Sequence, residues 1–306
     1  MIEVRNVNKK FDDFYALSDI SVTIPESSIY GMVGTNGAGK STLLRLMTGV
    51  YKSDGGQILI DGEDVYENPG AKEKFVYVPD ELYFLPGASM DRMSRLYKAV
   101  YKSFDNKLFV ELSDALKLDR KKAISTFSKG MKRQVAIILA IACRAKYMFF
   151  DETFDGLDPV IRNVIKGIIG QEVEANHSTA IITSHSLREL EDTCDQLALI
   201  HKGGLVLQSD VSLLKTGLFK VQIAFLEDYD KSKFDGFDII HFSKNGSVAR
   251  IIVRGEQEEM VERFRSLKPV ILDILSLTLE EIFTYEVEAL GYDFSKIFER
   301  EDEKNG

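Results

Sequence analysis

The sequence predicts an α/β protein: a parallel sheet with a phosphate-binding loop, an antiparallel β-subdomain, an inserted helical subdomain, and a small C-terminal α+β domain. Three observations predict it. Apolar runs such as Tyr147-Met148-Phe149-Phe150 and Ala180-Ile181-Ile182-Thr183 read as strands buried on both faces. The strand Ser28 to Val33 runs through a glycine-rich loop, Gly34 to Thr42, into a helix over Ser41 to Thr48. After about Leu218 the pattern changes, with a hairpin signal at Asn245-Gly246.

The chain of 306 residues is long enough for one large domain and a smaller one, and at 44% hydrophobic it can bury a core. Its formal net charge of -9 argues against a general nucleic-acid binder, whose affinity comes mostly from Lys and Arg on phosphates. Cys143 and Cys194 lie far apart without metal-ligand spacing, so neither a disulfide framework nor a zinc site is expected, and a reducing cytoplasmic setting fits. No run approaches the ~20 apolar residues of a membrane span. The N-terminus does not read as a signal peptide. If the protein works at a membrane, another chain does the spanning.

Residues 2–7 and 17–24 alternate apolar and polar side chains and read as antiparallel strands. Between them lie Phe11, Phe14 and Tyr15, which serve either as strand-edge packing or as a stacking platform for a base. Gly34-Thr35-Asn36-Gly37-Ala38-Gly39-Lys40-Ser41-Thr42 fits the P-loop pattern. Glycines there let backbone N–H groups close on an anion, because no Cβ intervenes. The helix start favours phosphate. Lys40 adds a mobile cation, and Ser41 offers a hydroxyl to Mg²⁺ arriving with a nucleotide. Gln57 to Ile60 reads as a strand, Asp61-Gly62 as a hairpin turn, and Phe75 to Val78 as a strand ended by Pro79.

Residues 86–126 take helical spacing after the break at Pro86-Gly87. Leu82, Tyr83, Phe84, Leu85, Met90 and Met93 are either the core of this lobe or an exposed docking patch. Ser128 is a candidate N-cap ahead of the apolar helix Val135 to Cys143. The strand Tyr147 to Phe150 ends in Asp151-Glu152, where ligands bind in open α/β sheets. Beside a P-loop, the first acid would hold Mg²⁺ through water and the second would polarise the attacking water. Asp155 to Pro159 is a turn before a helix, and the next strand ends in Ser184-His185. His177, His201 and His241 receive no role. Leu197 to Ile200 and Leu205 to Leu207 close the first domain as a hairpin. The smaller domain holds strands at 219–225, 239–242, 248–253 and 270–275 and helices at 257–267 and 279–290, with no chemical motif. Residues 299–306 form a charged tail.

Together these motifs resemble the ATP-binding subunit of an ABC transporter over residues 1 to about 215. Gly34 to Thr42 is similar to Walker A, Phe127 to Met131 to the signature motif, and Phe149 to Glu152 to Walker B with its catalytic glutamate. Gly156-Leu157-Asp158 is similar to the D-loop and His185 to the switch histidine. Phe11 matches the adenine-stacking aromatic by its distance from Lys40, with Tyr15 as runner-up. The resemblance implies a P-loop NTPase of the ABC ATPase type, with ATP and Mg²⁺ as cofactors and a helical subdomain at about 86–130. It implies a domain over 1–215, an accessory domain over 218–298, and a place on the cytoplasmic face of the membrane beside a separate transmembrane permease subunit. Two subunits, identical or paired with a second ABC ATPase, would pack head to tail. ATP would lie between Asn36, Gly37, Ala38, Gly39, Lys40, Ser41 and Thr42 of one and Ser128 and Gly130 of the other, with Asp158 also binding the nucleotide. Catalysis would rest on Glu152, His185 and Lys40, and metal binding on Ser41, Asp151 and Asp80.

The chain departs from that pattern in three places. Lys129 and Met131 replace glycine and glutamine in the signature. Asp80-Glu81 stands where the Q-loop glutamine is usual, adding negative charge beside a triphosphate. Thr153 replaces a proline. The segment Leu277 to Phe283 and the variants at 78–81 and 128–131 resemble bacterial ABC-2-type exporters of antibiotics and amphipathic peptides, the phenol-soluble-modulin type included. A soluble relative acting on DNA or ribosomes is disfavoured, because Lys40 and Ser128 are too close for an inserted coiled coil and the chain has one ATPase domain. A binding module without catalysis is disfavoured by the presence of Lys40, Asp151, Glu152 and His185. A GTPase is disfavoured because no Asn-Lys-x-Asp guanine reader appears.

Overall fold

A computed structural model describes residues 1–289 and Gly291, in two compact units divided between Gln208 and Ser209. Val211 to Gly217 therefore belongs to the second unit, not to a first domain running to 215. The tail over 299–306 lies outside the described residues.

The first unit begins with β1 (Ile2–Phe11) and β2 (Phe14–Ile24), an antiparallel pair that ends with Phe11 opposite Phe14. Both strands run further than their alternation predicts. Asp12 takes a left-handed φ of 50° and lets Asp12-Asp13 turn the chain tightly. β3 (Ile29–Val33) is buried throughout and leads through the glycine loop into α1 (Lys40–Met47). β4 (Gly55–Ile60) pairs with β1, and β5 (Glu63–Asp64) pairs with β4, giving a four-stranded sheet in the order β2-β1-β4-β5. A short α2 (Pro69–Lys72) precedes β6 (Phe75–Val78).

The helical lobe contains α3 (Met90–Val100) and α4 (Asn106–Ala115), N-capped by Ser89 and Asp105. Both pack on α5 (Lys129–Ala142), which begins directly after its cap Ser128. From Val135 to Ala142 α5 is apolar on all sides and buried throughout, and the polar Arg133 and Gln134 before it are buried as well. Met90 and Met93 are lobe core, whereas Tyr83 is 77% exposed and Leu82, Phe84 and Leu85 are half-buried.

β7 (Tyr147–Phe150), α6 (Pro159–Asn176), β8 (Thr179–Ser184), the short α7 (Leu187–Leu190), β9 (Gln196–His201) and β10 (Gly204–Asp210) complete a six-stranded sheet. Its order is β10-β9-β3-β8-β7-β6. β9, β3, β8, β7 and β6 pair in parallel. β3, β7 and β8 are buried at every residue, which is why each reads as an unbroken apolar run. One core joins β1, β2 and β4 to the parallel sheet through Leu43, Leu44 and Met47 of α1. The carboxyl ends of β3, β7 and β8 thereby lie side by side.

The second unit runs α8 (Val211–Gly217), β11 (Leu218–Ala224), β12 (Asp238–Asn245), β13 (Val248–Arg254), α9 (Gln257–Ser266), β14 (Ile271–Leu275) and α10 (Leu279–Ala289). Its antiparallel sheet has the order β12-β13-β11-β14. Phe234 sits at the centre of its core, its ring centroid about 6 Å from those of Phe225, Tyr229, Phe237, Phe242 and Phe264. Phe234→Ala should destabilise this unit by about 3–5 kcal/mol. Urea unfolding followed by tyrosine fluorescence measures the loss.

Candidate functional site

The glycine loop sets the site's floor. Gly37 has φ 75° and Gly39 φ 111°, and Gly39 is the N-cap of α1 with no side-chain cap. At Gly39 a Cβ would meet Leu17 Cδ2 at 2.7 Å and the Ala16 carbonyl at 2.9 Å, so only glycine fits. The first turn of α1 is left for an anion by this arrangement. A cleft of about 310 Å³ lies over it, lined by Asn36 to Thr42 together with Phe11, Phe14, Ala16, Asp80 and Glu152.

Lys40 is 4% exposed, and its ammonium donates to the Gly34 carbonyl at 2.6 Å and the Thr35 carbonyl at 3.1 Å. It also lies 3.0 Å from Glu152 Oε1. Asp151 ends β7 fully buried and accepts hydrogen bonds from Ser41 Oγ at 2.9 Å, Thr183 Oγ1 at 2.8 Å and the Tyr77 hydroxyl at 3.3 Å. Burial pushes its carboxyl above the usual carboxylate range, against the pull of those hydroxyls. A buried carboxylate held by three neutral hydroxyls, with a serine oxygen at its side, is a hard-oxygen donor set that fits Mg²⁺.

Glu152 has φ 45°, a left-handed conformation uncommon for a glutamate. Its N–H donates to Thr183 Oγ1 at 2.9 Å, which fixes the reversal. The turn sends its side chain across to Lys40 and to His185, whose Nδ1 is 3.2 Å from Glu152 Oε2. The same imidazole lies 3.8 Å from Asp155 Oδ1. Burial raises the Asp155 carboxyl's pKa, with His185 pulling the other way. Lys40, Ser41, Asp151, Glu152 and His185 are thus brought together from three strand ends.

Phe11 lines the cleft, with Tyr51 edge-on at 5.5 Å and the Lys9 ammonium 5.3 Å from its ring. Phe14, not the runner-up Tyr15, is the second aromatic there. The β1–β2 register shifts here, from Lys9 opposite Leu17 to Lys10 opposite Tyr15, and Phe14 and Ala16 line the cleft while Tyr15 does not. Tyr15 instead carries the Lys10 ammonium at 5.5 Å.

Ser128, Gly130 and Asp158 are not among the residues lining this cleft. Ser128 is exposed, and its Oγ accepts from Met131 N at 3.2 Å. Gly130 packs against the Gly156 carbonyl. Asp158 caps α6 by accepting from Ile161 N at 3.0 Å. Asp80 lines the cleft but does not stand free as a ligand. Its Oδ1 is 2.5 Å from Arg133 Nη2, a fully buried guanidinium on α5. Arg133, Thr183 and Tyr77 are site residues that sequence reasoning missed.

The family model described as ABC transporter matches residues 17–155. The ABC transporter ATP-binding protein YtrB of Bacillus subtilis (strain 168) is 30% identical over 283 residues, 92% of this chain and 97% of that protein. The bacitracin transport ATP-binding protein BcrA of Enterococcus faecalis is 28% identical over 219 residues, 70% of each chain. A solved ATP-binding subunit of an ABC transporter matches with a TM-score of 0.64 at 22% identity, over 70% of this chain and 92% of that one. The expected fold class is the one these likenesses show. Among the described residues, no helix is long and apolar enough to cross a membrane.

Proposed function

The chain belongs to the ATP-binding proteins of ABC transporters, and from that we propose that two such ATPase subunits close head to tail around ATP and drive a separate membrane-spanning subunit. The observation that carries this is the convergence of Lys40, Ser41, Asp151, Glu152 and His185 on one phosphate-binding loop. Phe11 and Phe14 supply ring faces for adenine. Backbone N–H groups of Asn36 to Thr42 and the Lys40 ammonium hold the phosphates. Ser41 and Asp151 would hold Mg²⁺, which neutralises phosphate charge when bound. Glu152 orients the attacking water and accepts its proton, a role worth roughly 10²–10⁴-fold. Lys40 and His185 stabilise the charge that develops on the transferred phosphate. Ser128 and Gly130 of the second subunit complete each site, so ATP binds the two halves together.

We infer a cargo that leaves the cell, an antibiotic or amphipathic peptide. The 28% identity to BcrA supports this reading. The half-buried Leu82, Phe84 and Leu85 with exposed Tyr83 offer an apolar contact for the membrane subunit. The test is affinity capture of the full chain from detergent-solubilised membranes, with captured proteins identified by mass. A stoichiometric partner with several membrane spans is the expected result. A chain recovered alone, or with ribosomes or DNA, would overturn the transporter role.

A further inference from the structure

We propose that Arg133 is a positioning residue for ATP hydrolysis, and that Asp80 acts as its counter-ion instead of binding the metal. This rests on the head-to-tail reading above. Arg133 is 1% exposed, yet it lies on the helix whose N-cap is Ser128. A guanidinium withdrawn from water needs a counter-charge, and here two of its three nitrogens are paired while Nη1 has no hydrogen-bond partner. Asp80 supplies the charge at 2.5 Å, from the rim of the nucleotide cleft. The Arg133 Nε donates to the Asp155 carbonyl at 3.1 Å. One side chain therefore ties three segments: the loop after β6, the loop after β7, and α5.

The backbone reinforces the tie. A Cβ on Gly130 would lie 2.9 Å from the Gly156 carbonyl, so α5 approaches the 155–157 loop too closely there for a side chain. α5 is one helix, so fixing Arg133 and Gly130 also fixes where Ser128 stands relative to Asp151 and Glu152. The pair also answers the charge problem that Asp80 poses. A carboxylate already committed to a buried guanidinium adds little repulsion beside a triphosphate. Its attachment to α5 lets the cleft's rim and the signature end of the helix move as one body. Removing either partner should misplace Ser128 for the second subunit while leaving the P-loop of the same chain intact.

The experiment is a double-mutant cycle on the full chain with Asp80→Ala, Arg133→Met and the double variant. It reads kcat, KM for ATP, the Mg²⁺ concentration at half-maximal rate, and binding of a fluorescent ATP analogue. Each single variant is expected to lose kcat about tenfold, with analogue binding and Mg²⁺ half-saturation unmoved. The double variant should be no worse than about twofold below the weaker single. Asp80→Asn and Arg133→Lys repeat the cycle with volume or charge kept, should a truncation fail to fold; both are expected to retain more kcat than the truncations. A Mg²⁺ half-saturation raised about tenfold by Asp80→Ala and unmoved by Arg133→Met would overturn the proposal, because Asp80 would then face the metal. Losses that multiply in the double variant would also overturn it. If the unmodified chain binds the analogue but never hydrolyses ATP, the ATPase reading fails. The pairing is then judged by the same cycle on thermal unfolding, where additive losses sink it.

Discussion

Glu152→Gln is expected to lower steady-state phosphate release by roughly 10²–10⁴-fold while nucleotide binding survives. The substitution is nearly isosteric. The backbone reversal at φ 45° and the N–H bond to Thr183 Oγ1 do not depend on the side-chain charge, so the local fold should hold. What goes is the carboxylate facing Lys40 at 3.0 Å and His185 at 3.2 Å. An amide cannot accept the proton of an attacking water. It also removes one negative charge from beside the triphosphate, which favours ATP binding. The variant should therefore accumulate as an ATP-bound dimer, seen as a shift in size-exclusion elution that needs both ATP and Mg²⁺. Turnover at the unmodified rate would remove Glu152 from the catalytic role. Lost turnover together with lost binding would show that Glu152 holds Lys40 in place and does no chemistry.

The parts of this site legible in the sequence are those set by local chain geometry. A glycine loop between an apolar strand and a helix can be read without neighbours, and so can acids at the end of the run Tyr147 to Phe150. Both features fall at the carboxyl ends of parallel strands, where the sheet delivers them to one place. The fold class was legible for the same reason, since strands buried on both faces leave unbroken apolar runs. What stayed hidden depends on side chains meeting across the fold. Thr183 and Tyr77 look like ordinary strand residues until β8 and β6 place their hydroxyls on Asp151. Arg133 meets Asp80 only because the lobe folds back. Which of Phe14 and Tyr15 lines the cleft beside Phe11 depends on the register shift between β1 and β2, which composition does not reveal. The boundary near 215 follows the extent of the resemblance, whereas α8 packs with α10.

Ser128→Arg should abolish turnover without touching nucleotide binding by the chain that carries it, and this separates a shared site from a self-contained one. Ser128 is exposed and does not line the cleft of its own chain. An arginine there has room in a single subunit. The substitution does remove a helix cap, the bond from Met131 N to Ser128 Oγ at 3.2 Å. That loss costs about 1 kcal/mol and is measured alone by Ser128→Ala, which should melt slightly lower. Against a second subunit the arginine would occupy the space meant for the γ-phosphate. Lys40→Ala is the complementary defect, in the P-loop itself. Each variant alone gives dimers in which both sites carry a fault. Mixed together, they form hybrids in which one site holds both faults and the other holds none. Head-to-tail assembly therefore predicts that two inactive proteins regain hydrolysis on mixing, at a level set by the hybrid fraction. If each subunit completed its own site, no mixture would recover activity, because every site would keep its own fault. Phosphate release measured against mixing ratio decides between these arrangements, with a maximum near equal amounts for the shared site and a flat line for the self-contained one.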